Sequence, residues 1–350
     1  MIRVAILLGG TSQEHEISLK TGNFVFNTLD RKKYSVTPVL ITKSGKWIFP
    51  KTNVSKIPSY KTIEEYSKNF ETDFKNLCNG EVNSPPHKIK NFDIIFIALH
   101  GGDGEDGTIQ SILDELKLKY TGSGVKASQL AMNKELANKE FYFKGFNVAP
   151  FFNIKRENFI KDQNSVLKNL ELNYPVFAKP TFGGSSVGAG KAIDAKELIS
   201  RLDTIFKTDQ NALVQELITG VEVSCGVIEF FNNGKFIPRP LYPTETIPKG
   251  EFFDFNSKYV VGGSEEITPA RLEAKLLEDV RSQALKAHIS IGCRGYSRTD
   301  FIISDGVPFI LELNTLPGMT ETSFIPQQIA YENLQMSYIF DTLIENGLAR

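Results

Sequence analysis

Cysteine is nearly absent from this chain, with three in 350 residues, at positions 78, 225 and 293. They stand far apart, odd in number and in no zinc-ligand spacing, which excludes a disulfide framework and a cysteine-rich metal site. Reduced structural thiols in a cytoplasmic protein are the expected reading. Excess charge is missing too: the formal net charge is −1. Nothing therefore calls for a nucleic-acid partner or an acidic membrane surface. No window approaches the roughly 18 consecutive apolar residues of a membrane span. The start, MIRVAILLGG, has no charged n-region, long apolar h-region or cleavage site, so it reads as a first strand rather than a signal peptide. Internal repeats and low-complexity tails are lacking as well.

What is present is ordinary globular composition, 41% hydrophobic, at a length that suits two or three domains. Val4–Leu8 and Asp93–Leu99 read as buried parallel strands, with Val36–Ile41 between them. Helices are expected from about Glu14 to Leu29 and from the spacing of Ile109, Ile112, Leu113 and Leu116. Residues 1–121 thus form an open α/β, Rossmann-like sheet, whose ligands belong beyond the strand ends, where glycine loops stand at 9–10 and 101–107. Residues 44–90 read as an elaboration with a helix near 62–77. A hinge at 121–124 leads to one helix across 126–143, then to strands and a helix through residue 214. Residues 215–350 make the third domain, with a closing helix after Pro326.

The stretch RTDFIISDGVPFILELNTLPGM, 298–319, reads as two strands, Tyr296–Ile303 and Pro308–Leu313, around a turn at Ser304-Asp305-Gly306. Alternation puts Arg298 and Asp300 on one face, and Glu312 and Asn314 on one face. Phe301, Ile303, Phe309, Leu311 and Leu313 fall on the core side. For Asp300 to face Glu312 the loop must have an odd number of residues, unless a bulge shifts the register; a two-residue loop pairs Asp300 with the face of Leu311 instead. Converging oxygens there suit Mg²⁺. A solvated sheet face with a salt bridge is the bland alternative.

The loop KPTFGGSSVG, 179–188, follows a strand and offers backbone N–H groups and hydroxyls to phosphate. It fails as a P-loop, because Ser185 stands where the first glycine belongs and Ala192 where Ser or Thr does. A β-hairpin flap over phosphates fits better. The first turn lacks G-x-G-x-x-G, which argues against a dinucleotide. Glu14 and Glu16 suit a helix N-terminus through the dipole alone, and a cation-binding role for one of them stands beside that. His100, at a strand end, reads equally as a substrate contact or a structural histidine.

Six stretches in order, LLGGTSQEHEISL at 7–19, HGGDGEDGTIQ at 100–110, YTGSGVKAS at 120–128, KPTFGGSSVG at 179–188, FFDFNSKY at 252–259 and RTDF…LELNTLPGMT at 298–320, resemble the D-alanine–D-alanine ligases of the ATP-grasp superfamily. The resemblance implies a three-domain ATP-grasp architecture (1–121, 122–214 and 215–350) and ATP-dependent joining of two D-alanines through an acyl phosphate, for peptidoglycan precursor synthesis. By the same resemblance Lys134 and Lys179 contact phosphates, and Gln215, Glu216 and Ile218 surround the adenine. Glu222 takes the ribose, and Phe252 and Leu311 flank the base. Asp300, Glu312 and Asn314 hold two Mg²⁺, with Mn²⁺ an alternative. Arg298 and the Gly318 N–H steady an oxyanion. Glu14 anchors the first D-alanine's ammonium, with His100 close by. Ser323 and Lys258 hold the second D-alanine's carboxylate. Glu14, Ser185 and Tyr259 form a triad that closes the site, and a homodimer is implied.

Two departures stand out: Phe182-Gly183 in the flap, where many relatives are polar, and Gln215, where glutamate is common. The rivals are a ligase using D-lactate or D-serine second, a nucleotide-binding regulator and a nicotinamide oxidoreductase. Lys258-Tyr259 favours a dipeptide over a depsipeptide. The retained Arg298, Asp300, Glu312 and Asn314 oppose the regulator, and the missing glycine fingerprint opposes the oxidoreductase.

Overall fold

The computed structural model describes residues 1–350 except 51–53, 79–86, 184–187 and 249–263. Three sheets follow one another along the chain. The first holds β1 (Ile2–Gly9), β2 (Tyr34–Ile41), β3 (Trp47–Ile48) and β4 (Ile94–Ile97) in the order β3-β2-β1-β4. β1 pairs in parallel with both β2 and β4. Val4–Leu8 are fully buried, as a continuous apolar run in a sheet covered on both faces must be. The helix expected within the elaboration spans Ile63–Cys78.

The second sheet is antiparallel, ordered β5 (Phe151–Lys155), β8 (Asn211–Glu216), β6 (Val176–Pro180), β7 (Gly190–Ala192). β6 and β7 form the expected flap hairpin, and β8 crosses the expected 214/215 boundary. The third holds β9 (Val221–Asn232), β10 (Lys235–Pro240), β11 (Thr244–Pro248), β12 (Ser264–Ile267), β13 (Tyr296–Ser304) and β14 (Val307–Asn314). Its order is β12-β11-β9-β13-β14, with β10 also on β9.

Packing does not respect chain order. The last helix, Met336–Leu348, returns to the first sheet, where Phe340 is fully buried edge-on to Phe96 at 5.6 Å. Burying one such ring contributes about 1.5–3 kcal/mol. The single helix expected over 126–143 is two, Val125–Met132 and Lys134–Phe143. Asn133 breaks it: its backbone turns extended (ψ 96°) and its side chain accepts the Leu136 N–H, an N-cap worth about 1 kcal/mol. Both helices pack on the third sheet, where Ala131 and Phe141 share a core with Cys225, Phe301 and Ile310.

The β13–β14 hairpin corrects the odd-loop expectation. Its turn has two residues, Asp305 and Gly306, both at positive φ (49° and 75°), and Ser304 pairs with Val307. Asp300 nevertheless pairs with Glu312 and Arg298 with Asn314, because the register shifts between Asp300 and Phe301. Since Phe301 pairs with Ile310, Leu311 is the extra residue of a bulge. The core side of β14 is therefore Pro308, Ile310 and Leu313, while Phe309 and Leu311 are not core residues as expected.

Candidate active site

β1 and β4 are neighbours running the same way, so their following loops meet beyond one sheet edge. The Ser12 hydroxyl donates to the His100 carbonyl (2.6 Å), and the His100 N–H donates to the Ser18 hydroxyl (2.8 Å). His100 Nδ1 faces the Leu316 carbonyl at 2.9 Å, and a carbonyl only accepts, so Nδ1 carries the proton. Nε2 then accepts from the Thr21 hydroxyl (2.8 Å). Burial lowers the imidazole's pKa, which keeps this tautomer neutral. His100 thus fastens the first sheet to the loop after β14. Gly101, at φ 64°, approaches Glu14 so closely that an added Cβ would lie 2.7 Å from its carboxylate. Glu14 itself precedes the helix His15–Thr28 and is buried. Glu16, by contrast, spends its charge on Lys43 at 2.5 Å.

On the third sheet, Arg298 grips Asp300 with a two-pronged fork, Nε to Oδ1 and Nη2 to Oδ2, each 2.7 Å. The Ser224 hydroxyl (2.6 Å) and the Asn314 amide (3.2 Å) also donate to Asp300. With its amide nitrogen so turned, Asn314 presents its Oδ1 away from Asp300. Glu312 lies directly across from Asp300 in register. Two carboxylates and an amide oxygen are the hard donors Mg²⁺ prefers, with phosphates and water completing the shell. Among the described residues no three His, Cys, Asp or Glu side chains are arranged to hold a metal ion by themselves.

Two cavities open over this sheet. The larger, about 620 Å³, lies between the second and third sheets, a size suited to a small-molecule cofactor. Phe177, Ile302 and Leu311 give it apolar walls, and the β14 bulge is what turns Leu311 into it. At its end Gln215 is buried, and its Nε2 has no hydrogen-bond partner among the described residues. The smaller cavity, about 160 Å³, lies between the first and third sheets and is walled by Glu14, His100, Arg298, Gly318 and Ser323. Both are lined by Lys134, Gly183 and Glu312, so they meet there. Lys134 owes its place to the Asn133 cap, which starts its helix at the junction, and its ammonium donates to the Gly183 carbonyl (2.5 Å) at the base of the flap.

The family model described as D-ala D-ala ligase N-terminus matches residues 3–123, and that described as D-ala D-ala ligase C-terminus matches residues 141–345. The chain belongs to the D-alanine–D-alanine ligase family. A D-alanine–D-alanine ligase of Leptospira interrogans is 46% identical over 100% of this chain and 99% of its own length. Another, from Natranaerobius thermophilus, is 35% identical, covering 100% of this chain and 95% of the relative. Among solved structures, the VanG D-Ala:D-Ser ligase of Enterococcus faecalis superposes with a TM-score of 0.82 at 30% identity, over 99% of each chain. A Bacillus anthracis D-alanine–D-alanine ligase complexed with ATP superposes at 0.74 and 27% identity, over 100% of this chain and 98% of that one. The fold is therefore the mixed α/β ATP-grasp fold.

Every expected site residue within the described part of this ligase lines one of the two cavities. Glu14, His100, Arg298, Asn314, Gly318 and Ser323 face the smaller one. Lys179, Gln215, Glu216, Ile218 and Glu222 face the larger, with Asp300 and Leu311. Lys134 and Glu312 face both. Ser185, Phe252, Lys258 and Tyr259 lie outside the described residues. The Glu216 carboxylate is already engaged, accepting from the Asn173 backbone and side chain at 2.9 Å each.

Two acids in the smaller cavity escaped the sequence reading, Glu105 and Glu266. Glu105 sits inside HGGDGEDG, but nothing in a glycine loop distinguishes an inward acid from an outward one. Burial, reinforced by the charge of Glu14, pushes its carboxyl up from 4.5 to about 8. The folded state thus holds a proton between those values that the unfolded chain has released, so stability falls as pH rises through that window. Glu105→Gln, which mimics the protonated form, is expected to flatten this fall. Thermal melts from about pH 5 to about pH 9 read it, and an unchanged slope would contradict the assignment.

Proposed function

We propose that this chain joins two D-alanines into D-alanyl-D-alanine at the expense of ATP, the dipeptide serving as a peptidoglycan precursor. The observation that carries the reading is the meeting of a cofactor-sized cavity and a small acid-and-arginine cavity at Lys134, Gly183 and Glu312. A γ-phosphate reaching from one cavity to the other passes that point. ATP lies in the larger cavity, its base between Leu311 and the Gln215 end. The Gln215 amide supplies both an acceptor and the unpartnered donor, a match for an adenine amine and its neighbouring ring nitrogen, so the departure from glutamate keeps the contact.

A carboxylate is a poor electrophile, so the first D-alanine's carboxylate oxygen attacks the γ-phosphorus, and ADP leaves. Lys134 and Lys179 offset the crowded negative charge during this transfer. Asp300, Glu312 and Asn314 would hold Mg²⁺ or Mn²⁺, two ions by family pattern, which supply further neutralisation of the phosphates. The second D-alanine, as its free amine, then attacks the acyl carbon. Arg298 and the Gly318 N–H steady the oxyanion, and collapse expels phosphate. Glu14 anchors the first ammonium beside His100. Ser323, which stands at the start of the helix Phe324–Tyr331, and Lys258 receive the second carboxylate. Glu14, Ser185 and Tyr259 close the site against water. By family pattern the acting form is a cytoplasmic homodimer.

Phosphate release and dipeptide are measured together with ATP, Mg²⁺ and D-alanine. One phosphate per dipeptide, and none without D-alanine, is the expected result. ATP hydrolysis that ignores D-alanine would contradict the reading.

A further inference from the structure

The flap hairpin carries a lysine to which the ligation chemistry gives no task. Lys191 is the middle residue of edge strand β7, where it pairs with Phe177 of β6, and Phe177 pairs in turn with Gln215 of β8. Residues directly opposite one another in antiparallel strands share a face. Gln215, Phe177 and Lys191 thus form a row across the second sheet, and all three line the larger cavity. Their neighbours Ala178 and Ala192 point the other way, into the core they share with Leu198 and Leu202 of the helix Ala195–Ile205. That helix also holds the strand in place. Arg201 Nε donates to the Lys191 carbonyl (3.3 Å), and the Ile193 N–H donates to Glu197 Oε2 (3.0 Å). The Arg201 guanidinium lies so close over Gly190 that an added Cβ would sit 2.5 Å from its Cζ. Among the described residues the Lys191 ammonium itself has neither an ion-pair nor a hydrogen-bond partner.

We propose that Lys191 is a further nucleotide-binding residue, and that its ammonium pairs with the α-phosphate of ATP. This rests on the ligase reading above. Gln215, at the inner end of the row, is the group matched to the adenine amine. The ribose leaves adenine from the edge opposite that amine, so the sugar and the first phosphate fall toward the outer end. Neighbouring strands lie about 4.8 Å apart, which sets Lys191 about 10 Å from Gln215, across the ring of Phe177. The other two lysines lie farther along the cavity. Lys134 stands where the two cavities meet, and Lys179 is two residues nearer the flap than Phe177. They serve the outer phosphates, and the α-phosphate is left to Lys191. A lysine on an edge strand also discourages strand-to-strand pairing. That role needs only a charge in solvent, whereas Lys191 is half-buried and shares the face of Gln215.

The test is calorimetric binding of ADP and of adenosine, with Mg²⁺, to wild type, Lys191→Met and Lys191→Arg. Methionine keeps most of the side chain's length and removes its charge. Lys191→Met is expected to bind ADP about tenfold more weakly, with adenosine changed by less than about twofold. Lys191→Arg keeps the cation and should stay within about threefold of wild type for both. In turnover, Lys191→Met should raise KM for ATP about tenfold and leave kcat and KM for D-alanine unchanged. ADP bound by Lys191→Met as tightly as by wild type, or ADP and adenosine weakened equally, would overturn the assignment while leaving the ligase reading intact. Wild type that binds no ADP would overturn both.

Discussion

Replacing Glu312 by glutamine is expected to lower turnover at least about 100-fold, the loss of roughly 3 kcal/mol of transition-state stabilisation. Glu312 pairs with Asp300 across the hairpin and lies where the two cavities meet. The amide keeps its shape and one oxygen but loses the charge that a divalent ion needs. The fold should not suffer. Glu312 is among the charges that hold Glu105 protonated, so removing it relieves repulsion in a crowded acid cluster. The melting temperature should therefore change by no more than about 2 °C. Turnover and thermal melts on the same sample separate the two effects. Wild-type turnover at ordinary Mg²⁺ would remove the Asp300, Glu312 and Asn314 set from the reaction.

Arg298→Ala should cost at least as much, because the side chain does two things at once. It faces the smaller cavity, where its proposed part is to steady the oxyanion, a contribution of about 3 kcal/mol or about 100-fold in rate. Its fork also fixes both oxygens of Asp300. Without it Asp300 keeps only Ser224 and Asn314 among the described residues, and its proposed hold on a metal loosens. Lysine restores charge but not the paired donors, so Arg298→Lys should recover only part of the loss. A fully active lysine variant would show that the guanidinium geometry is not used.

Much of this was legible in the sequence because single residue types carried it. The uninterrupted apolar run of β1, the glycines at strand ends and the spacing of the hairpin acids each demand one local structure. What escaped depended on partners remote in the chain. Of the two routes by which Asp300 could face Glu312, an odd loop or a bulge, the chain takes the bulge, at Leu311, and the turn sequence does not say which. That bulge exists within a sheet whose register β9 also sets, through Asp300 opposite Ser224. The break at Asn133 was written locally as a capping residue, but helical spacing of the flanking alanines and leucines masked it. The return of Phe340 to the first core cannot be read from the periodicity of its own helix. Glu266 looks like any acid on an edge strand until Gln327, 61 residues on, is seen to hold it.

The most direct measurement uses D-alanine labelled with ¹⁸O in its carboxylate. If the carboxylate oxygen attacks the γ-phosphorus and the amine later expels phosphate, one labelled oxygen leaves with the phosphate for each dipeptide formed. Mass analysis of the released phosphate reads this transfer. One ¹⁸O per phosphate, matched to D-alanyl-D-alanine, is the result the account predicts. Dipeptide formed with unlabelled phosphate would contradict it, since the carboxylate would then have been activated without an acyl phosphate.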